Sequence, residues 1–136
     1  MTYEIFALEM RSLKSYKESA EDIERQIDDI VYQYAGVRGI SYDKQRVSFS
    51  ENMLEDQRQR LYDALDEPQR ELDFTVHAIQ QLEPRVNRHL NALPEDIKDA
   101  VILLFWKGWT YEQLGKKYGY TGRGMQYRVV REVTKL

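Results

Sequence analysis

The chain has no cysteine. Disulfides, thiol catalysis and thiolate metal sites are therefore excluded. It also lacks a long hydrophobic run. The longest apolar stretch, Ala100 to Trp106, is seven residues, against the roughly 18 that a membrane helix needs. The N-terminal stretch MTYEIFALEMRSLK is amphipathic and acidic at its start, unlike a secretory signal. A cytoplasmic protein with no membrane partner is expected. No GxxxxGK[ST] loop and no nucleophile elbow occurs. The many carboxylates read as solvated helix faces, and no pair is marked out as a general acid and base. The two histidines, His77 and His89, have no second ligand at a useful spacing. No enzyme, metal or cofactor is expected.

What is present fits one compact domain or two small modules: 136 residues, 42% apolar and 32% charged. The net charge of -3 hides an asymmetry. Residues 1–99 carry 13 basic and 21 acidic side chains, a net of -8. Residues 100–136 carry seven basic and two acidic ones, a net of +5. An acidic arm followed by a basic tail hints at a surface that faces a polyanion.

The arm reads as two long helices. From Leu13 the apolar positions are Leu13, Tyr16, Ala20, Ile23, Ile27, Ile30 and Tyr34. Alternating steps of three and four make a heptad stripe. Gly36 is placed to end that helix. Residues 36–52, GVRGISYDKQRVSFSEN, break the period and read as a connector, with room for a short strand near Arg46–Phe49. Ser50 suits a helix start. From about Glu51 to Leu93, Leu54, Leu61, Leu65, Leu72, Ile79, Leu82, Val86 and Leu93 share one lattice with Pro68, Thr75 and His89. Pro68 predicts a kink or a restart, and Pro84 a second kink. The pattern fits an antiparallel hairpin or a dimeric coiled coil.

The tail holds three shorter helices. Pro94, Glu95 and Asp96 suit a first turn. Ile97, Val101, Leu104 and Phe105 form an apolar face that ends at Lys107-Gly108. Thr110 and Gln113 have the spacing of a capping box. Leu114 and Tyr118 point inward, and Gly119 breaks that helix. Thr121 caps the last helix, in which Met125, Val129 and Val133 are spaced by four. Trp106, Trp109, Tyr118 and Tyr120 are expected to pack or to shape the turn.

A short helix, a tight turn and a basic amphipathic helix form the helix-turn-helix arrangement. There the second of three helices crosses the phosphate backbone and the third enters the major groove. Gly122 and Gly124 would let the backbone approach closely. Arg123, Gln126 and Tyr127 project opposite Met125 and Val129. Arg pairs bidentately with guanine, and Gln with adenine. Lys116, Lys117, Arg128, Arg131 and Lys135 suit phosphate contacts, which position without specifying. Thr110 and Thr121, at the two helix starts, join that phosphate set.

The stretch ALPEDIKDAVILLFWKGWTYEQLGKKYGYTGRGMQYRVVREV resembles region four of bacterial sigma factors. The matching features are Leu93-Pro94-Glu95, Lys107-Gly108, Thr110 to Leu114, Tyr118-Gly119-Tyr120, Thr121, Met125, Arg128 and Arg131. The whole chain resembles small phage regulators of the ArpU/RinA type. The resemblance implies activation of phage late genes in a bacterial host through promoter DNA, with host RNA polymerase as a further partner. Carried over by position, it implies that Gly122, Arg123, Gln126 and Tyr127 read bases. Sigma factors often have charged residues where Gly122 and Gly124 stand.

The expected protein is all-α. Residues 1–92 form an acidic helical arm for dimerisation, and residues 93–136 a helix-turn-helix domain for double-stranded DNA. Two other readings remain: a DNA-packaging recognition subunit of a phage, and a sigma-like module that binds RNA polymerase.

Overall fold

A computed structural model of the chain describes residues 1–35 and 55–136. The described residues form five helices and no strand: α1 (Tyr3–Ala35), α2 (Glu55–Asn91), α3 (Glu95–Trp106), α4 (Tyr111–Tyr118) and α5 (Gly122–Thr134). The all-α expectation holds. The connector at 36–52, its Arg46–Phe49 strand, the Gly36 cap and the Ser50 helix start all lie outside the described residues. None of the five helices is long and apolar enough to cross a membrane.

Helix α1 begins ten residues before Leu13. Tyr3, Phe6, Met10 and Leu13 continue the same three-four spacing, and Phe6, Met10 and Leu13 are buried. Helix α2 runs without a break through Pro68 and Pro84, so the restart expected at Pro68 does not occur. Each proline removes one i to i−4 bond. The carbonyls that lose a partner belong to Ala64, which is half-buried, and Gln80, which is exposed.

The chain divides into two compact units, and the division does not follow the expected 92/93 boundary. One unit joins Met1–Tyr16 to Ala78–Leu136, and the other spans Lys17–His77. Charge and Pro94 suggested a cut at 93, but the packing places it inside the two long helices.

In the first unit one core draws on all five helices. Phe6, Met10 and Leu13 of α1 meet Val86 and Leu90 of α2, Ile97, Val101 and Phe105 of α3, Leu114 of α4, and Met125, Val129 and Val133 of α5. Each fully buried side chain of this size contributes about 1.5–3 kcal/mol relative to exposure. The three C-terminal helices therefore do not enclose their core by themselves. Polar bonds reinforce the junction. The Trp106 indole donates to the Met10 carbonyl oxygen at 3.0 Å, and the Phe6 and Phe105 rings meet edge to face at 6.1 Å. His89, on the apolar lattice of α2, lies 3.2 Å from Glu9, which also stands 3.7 Å from Arg85.

In the second unit Ala20 and Ile23 of α1 and Leu61 and Thr75 of α2 are buried. The Thr75 hydroxyl donates to the Glu71 carbonyl one turn earlier at 2.8 Å, which satisfies its polar group. Ser19 and Ile23 line a shallow groove with Arg70, Glu71, Phe74 and Thr75. In each unit, then, α1 faces α2 of its own chain. The heptad stripe is less buried toward its end, because Ile27, Ile30 and Tyr34 are only half-buried.

Candidate nucleic-acid interface

Local chemistry sets the frame of the C-terminal helices. Helix α3 is followed by Lys107 as its cap and then by Gly108, whose φ of 76° is the left-handed conformation that glycine adopts at low cost. The Trp109 amide then donates back to the Leu103 carbonyl at 3.0 Å. Thr110 caps α4 with the expected box. Its hydroxyl accepts from the Gln113 amide at 3.2 Å, and the Gln113 side chain accepts from the Thr110 amide at 2.9 Å. Helix α4 ends at Gly119, with φ of 82°. Thr121 then caps α5 by accepting from the Gly124 amide at 3.0 Å. Three residues, Gly119 to Thr121, thus separate two helices.

That turn needs a glycine the sequence reading did not single out. A Cβ on Gly115 would overlap the Tyr120 carbonyl oxygen and sit 3.0 Å from the Thr121 carbonyl. Gly115 therefore lets the turn fold back onto α4. The available signal was a helix-interior glycine, which costs about 1 kcal/mol against alanine and usually has a packing reason.

Helix α5 has two distinct faces. Met125, Val129 and Val133 are fully buried, whereas Arg123, Gln126 and Tyr127 are exposed. Tyr127 is 67% exposed, uncommon for so large a ring. The Arg131 guanidinium lies 5.8 Å from its centroid. Gly122 is different. A Cβ there would stand 3.1 Å from Glu112 Cγ and 3.3 Å from the Glu112 amide nitrogen. The absence of a side chain at Gly122 thus serves the contact between the starts of α4 and α5. A Cβ on Gly124 would crowd the capping Thr121 hydroxyl at 3.1 Å.

The basic side chains differ in how far they are committed. Lys116 and Arg123 are exposed and make no ion pair among the described residues. Lys117 lies over the Trp109 and Tyr118 rings at 5.5 and 5.7 Å. Arg131 and Lys135 both approach Glu132, at 3.5 and 3.3 Å. Both cations are exposed, although Glu132 itself is only 16% exposed, and they share its one carboxylate. Arg128 is held more firmly, 3.0 Å from Asp96 and 4.8 Å from the Tyr120 centroid. Burial raises the Tyr118 hydroxyl above its ordinary pKa, and Asp99 and Asp96 push the same way. Thr110 and Thr121 are exposed, but their hydroxyls already accept cap bonds.

The packing of α4 on α5 therefore gathers Arg123, Gln126 and Tyr127 on one exposed face, with Lys116 and Lys117 in the last turn of α4 before it. Arg131 lies one turn beyond Tyr127. No family model, curated protein or solved structure matches this chain.

Proposed function

We propose that the protein binds double-stranded DNA sequence-specifically and regulates transcription, with α5 entering the major groove. One observation carries the reading. The helix that follows the glycine turn buries Met125, Val129 and Val133 and presents Arg123, Gln126 and Tyr127 to solvent. The major groove is wide enough for one helix, and Arg and Gln match guanine and adenine edges there. The excess of basic residues after position 100 supplies attraction to phosphates. Lys116, Lys117, Arg131 and Lys135 serve that purpose, and Thr110 and Thr121 lie beside them at the helix starts. A phage late-gene activator is the role that the sigma-like resemblance favours.

Genomic enrichment tests this reading. Purified protein is incubated with fragmented genomic DNA at near-physiological salt, and the retained DNA is sequenced. A sharp site upstream of an operon is the expected result. Retention without any preferred sequence would reduce the tail to nonspecific electrostatics and overturn the reading.

A further inference from the structure

Arg128 stands apart from the other cations of α5. Its side chain is 25% exposed, against 49% for Arg131 and 63% for Lys135. Its Nη2 donates to Asp96 Oδ2 at 3.0 Å. The other oxygen of that carboxylate, Oδ1, accepts from the Ile97 amide at 3.0 Å, in the first turn of α3. The same guanidinium lies 4.8 Å from the centroid of Tyr120, the middle residue of the turn between α4 and α5. One planar group on α5 therefore touches two other elements: the start of α3 and the turn. Guanidinium suits this task because it bonds in its plane and stacks through its face, which ammonium cannot do. With its charge offset by the carboxylate and its side chain only a quarter exposed, Arg128 is a poorer phosphate ligand than Lys116 and Arg123, which are exposed and unpaired among the described residues.

We propose that Arg128 is a positioning residue for base reading rather than a phosphate contact. The bridge from Asp96 through Arg128 to Tyr120 fixes the angle at which α5 presents Arg123, Gln126 and Tyr127. This rests on the DNA reading above and adds to it the element that sets specificity. It also reverses a sign. By charge counting alone, loss of the Asp96 carboxylate makes the protein more basic and tightens all DNA binding. By positioning, the same change frees Arg128, tightens nonspecific binding and weakens discrimination.

The test uses the full chain and two duplexes of equal length: one carrying the enriched site, the other its shuffled sequence. Affinities are measured across a salt series for wild type, Asp96→Asn, Arg128→Lys, Arg128→Gln and Tyr120→Ala. Specific sites are typically bound ~10³–10⁷ times more tightly than nonspecific DNA. Asp96→Asn, Arg128→Lys and Tyr120→Ala are expected to lower that ratio about tenfold or more, which corresponds to ~1.4 kcal/mol. Arg128→Gln is expected to leave the salt slope on the shuffled duplex unchanged. A slope shallower by about 0.9 would mean that Arg128 neutralises a phosphate, and would overturn the proposal. An undiminished ratio in Asp96→Asn and Tyr120→Ala would overturn it as well. Tyr120 is exposed in the turn, so that variant keeps the test open if a change at Asp96 or Arg128 unfolds the chain. Equal binding of both duplexes by the wild type would overturn the DNA reading itself, and this proposal with it.

Discussion

The hydroxyl groups of Tyr3 and Tyr111 share a hydrogen bond of 2.6 Å across 108 positions of sequence. The bond ties the first turn of α1 to the first residue of α4, so the beginning of the chain is part of the unit that carries the candidate interface. Phe6 extends the tie. It is 1% exposed and packs edge to face on Phe105. A fragment of residues 93–136 should therefore lack a cooperative unfolding transition, with the emission of Trp106 and Trp109 shifted toward that of indole in water. In the full chain, Phe6→Ala should cost about 3–5 kcal/mol in denaturant unfolding. A fragment as helical and as cooperative as the intact unit would show that α1 is dispensable to it.

The same pair gives a pH prediction. Burial raises the Tyr111 hydroxyl far above the ordinary tyrosine pKa, and its bond to Tyr3 adds to the shift. A raised phenol pKa means that the fold favours the neutral form. The stabilisation linked to it is full below about pH 10, the unfolded value, and is lost as pH rises through the folded value. In a spectrophotometric titration of the folded protein, Tyr111→Phe should form as many phenolates as wild type near pH 10. One fewer phenolate in the variant would show that Tyr111 titrates normally.

Local features of the C-terminal helices were legible in the sequence. The i+4 spacing of Met125, Val129 and Val133 marks a buried stripe, Thr110 with Gln113 marks a cap, and Gly119 marks a stop. Each depends on residues within one or two turns. The unit boundary was not legible in this way. The change of charge and Pro94 both point to position 93, but hydrophobic burial ignores surface charge, and the core reaches back to Phe6 and Val86. The early stripe was present as Tyr3, Phe6, Met10 and Leu13, although a helix face does not reveal its partner. The packing role of Gly122 was hidden for a similar reason. Only the close approach of Glu112 shows that the missing side chain serves packing.

Gly115 sets two effects against each other. Alanine there gains up to about 1 kcal/mol of helix propensity. Its methyl group would overlap the Tyr120 carbonyl oxygen, and backbone in a tight turn cannot yield as a flexible side chain does. Overpacking of this kind costs about 1–3 kcal/mol, so Gly115→Ala should be a net destabilisation. A higher thermal midpoint in Gly115→Ala would show that the turn relaxes freely. The Thr110→Ala variant gives a scale for comparison, because losing a cap costs ~1 kcal/mol.

Arg123 and Lys116 are both exposed and unpaired among the described residues, but they should fail differently on DNA. Arg123 follows the Thr121 cap on the exposed face of α5, the face proposed to meet base edges in the groove. Lys116 is in the last turn of α4, the helix expected to lie across the backbone. Arg123→Ala should cost about 1–3 kcal/mol on the enriched site and relax preference at one base position. Its effect on a shuffled duplex should be smaller. Lys116→Ala should weaken both duplexes alike and make the salt slope shallower by about 0.9. Competition binding across a salt series separates these outcomes. Uniform weakening by Arg123→Ala, with the base preference intact, would move Arg123 to the phosphate backbone and leave Gln126 and Tyr127 as the base-reading candidates.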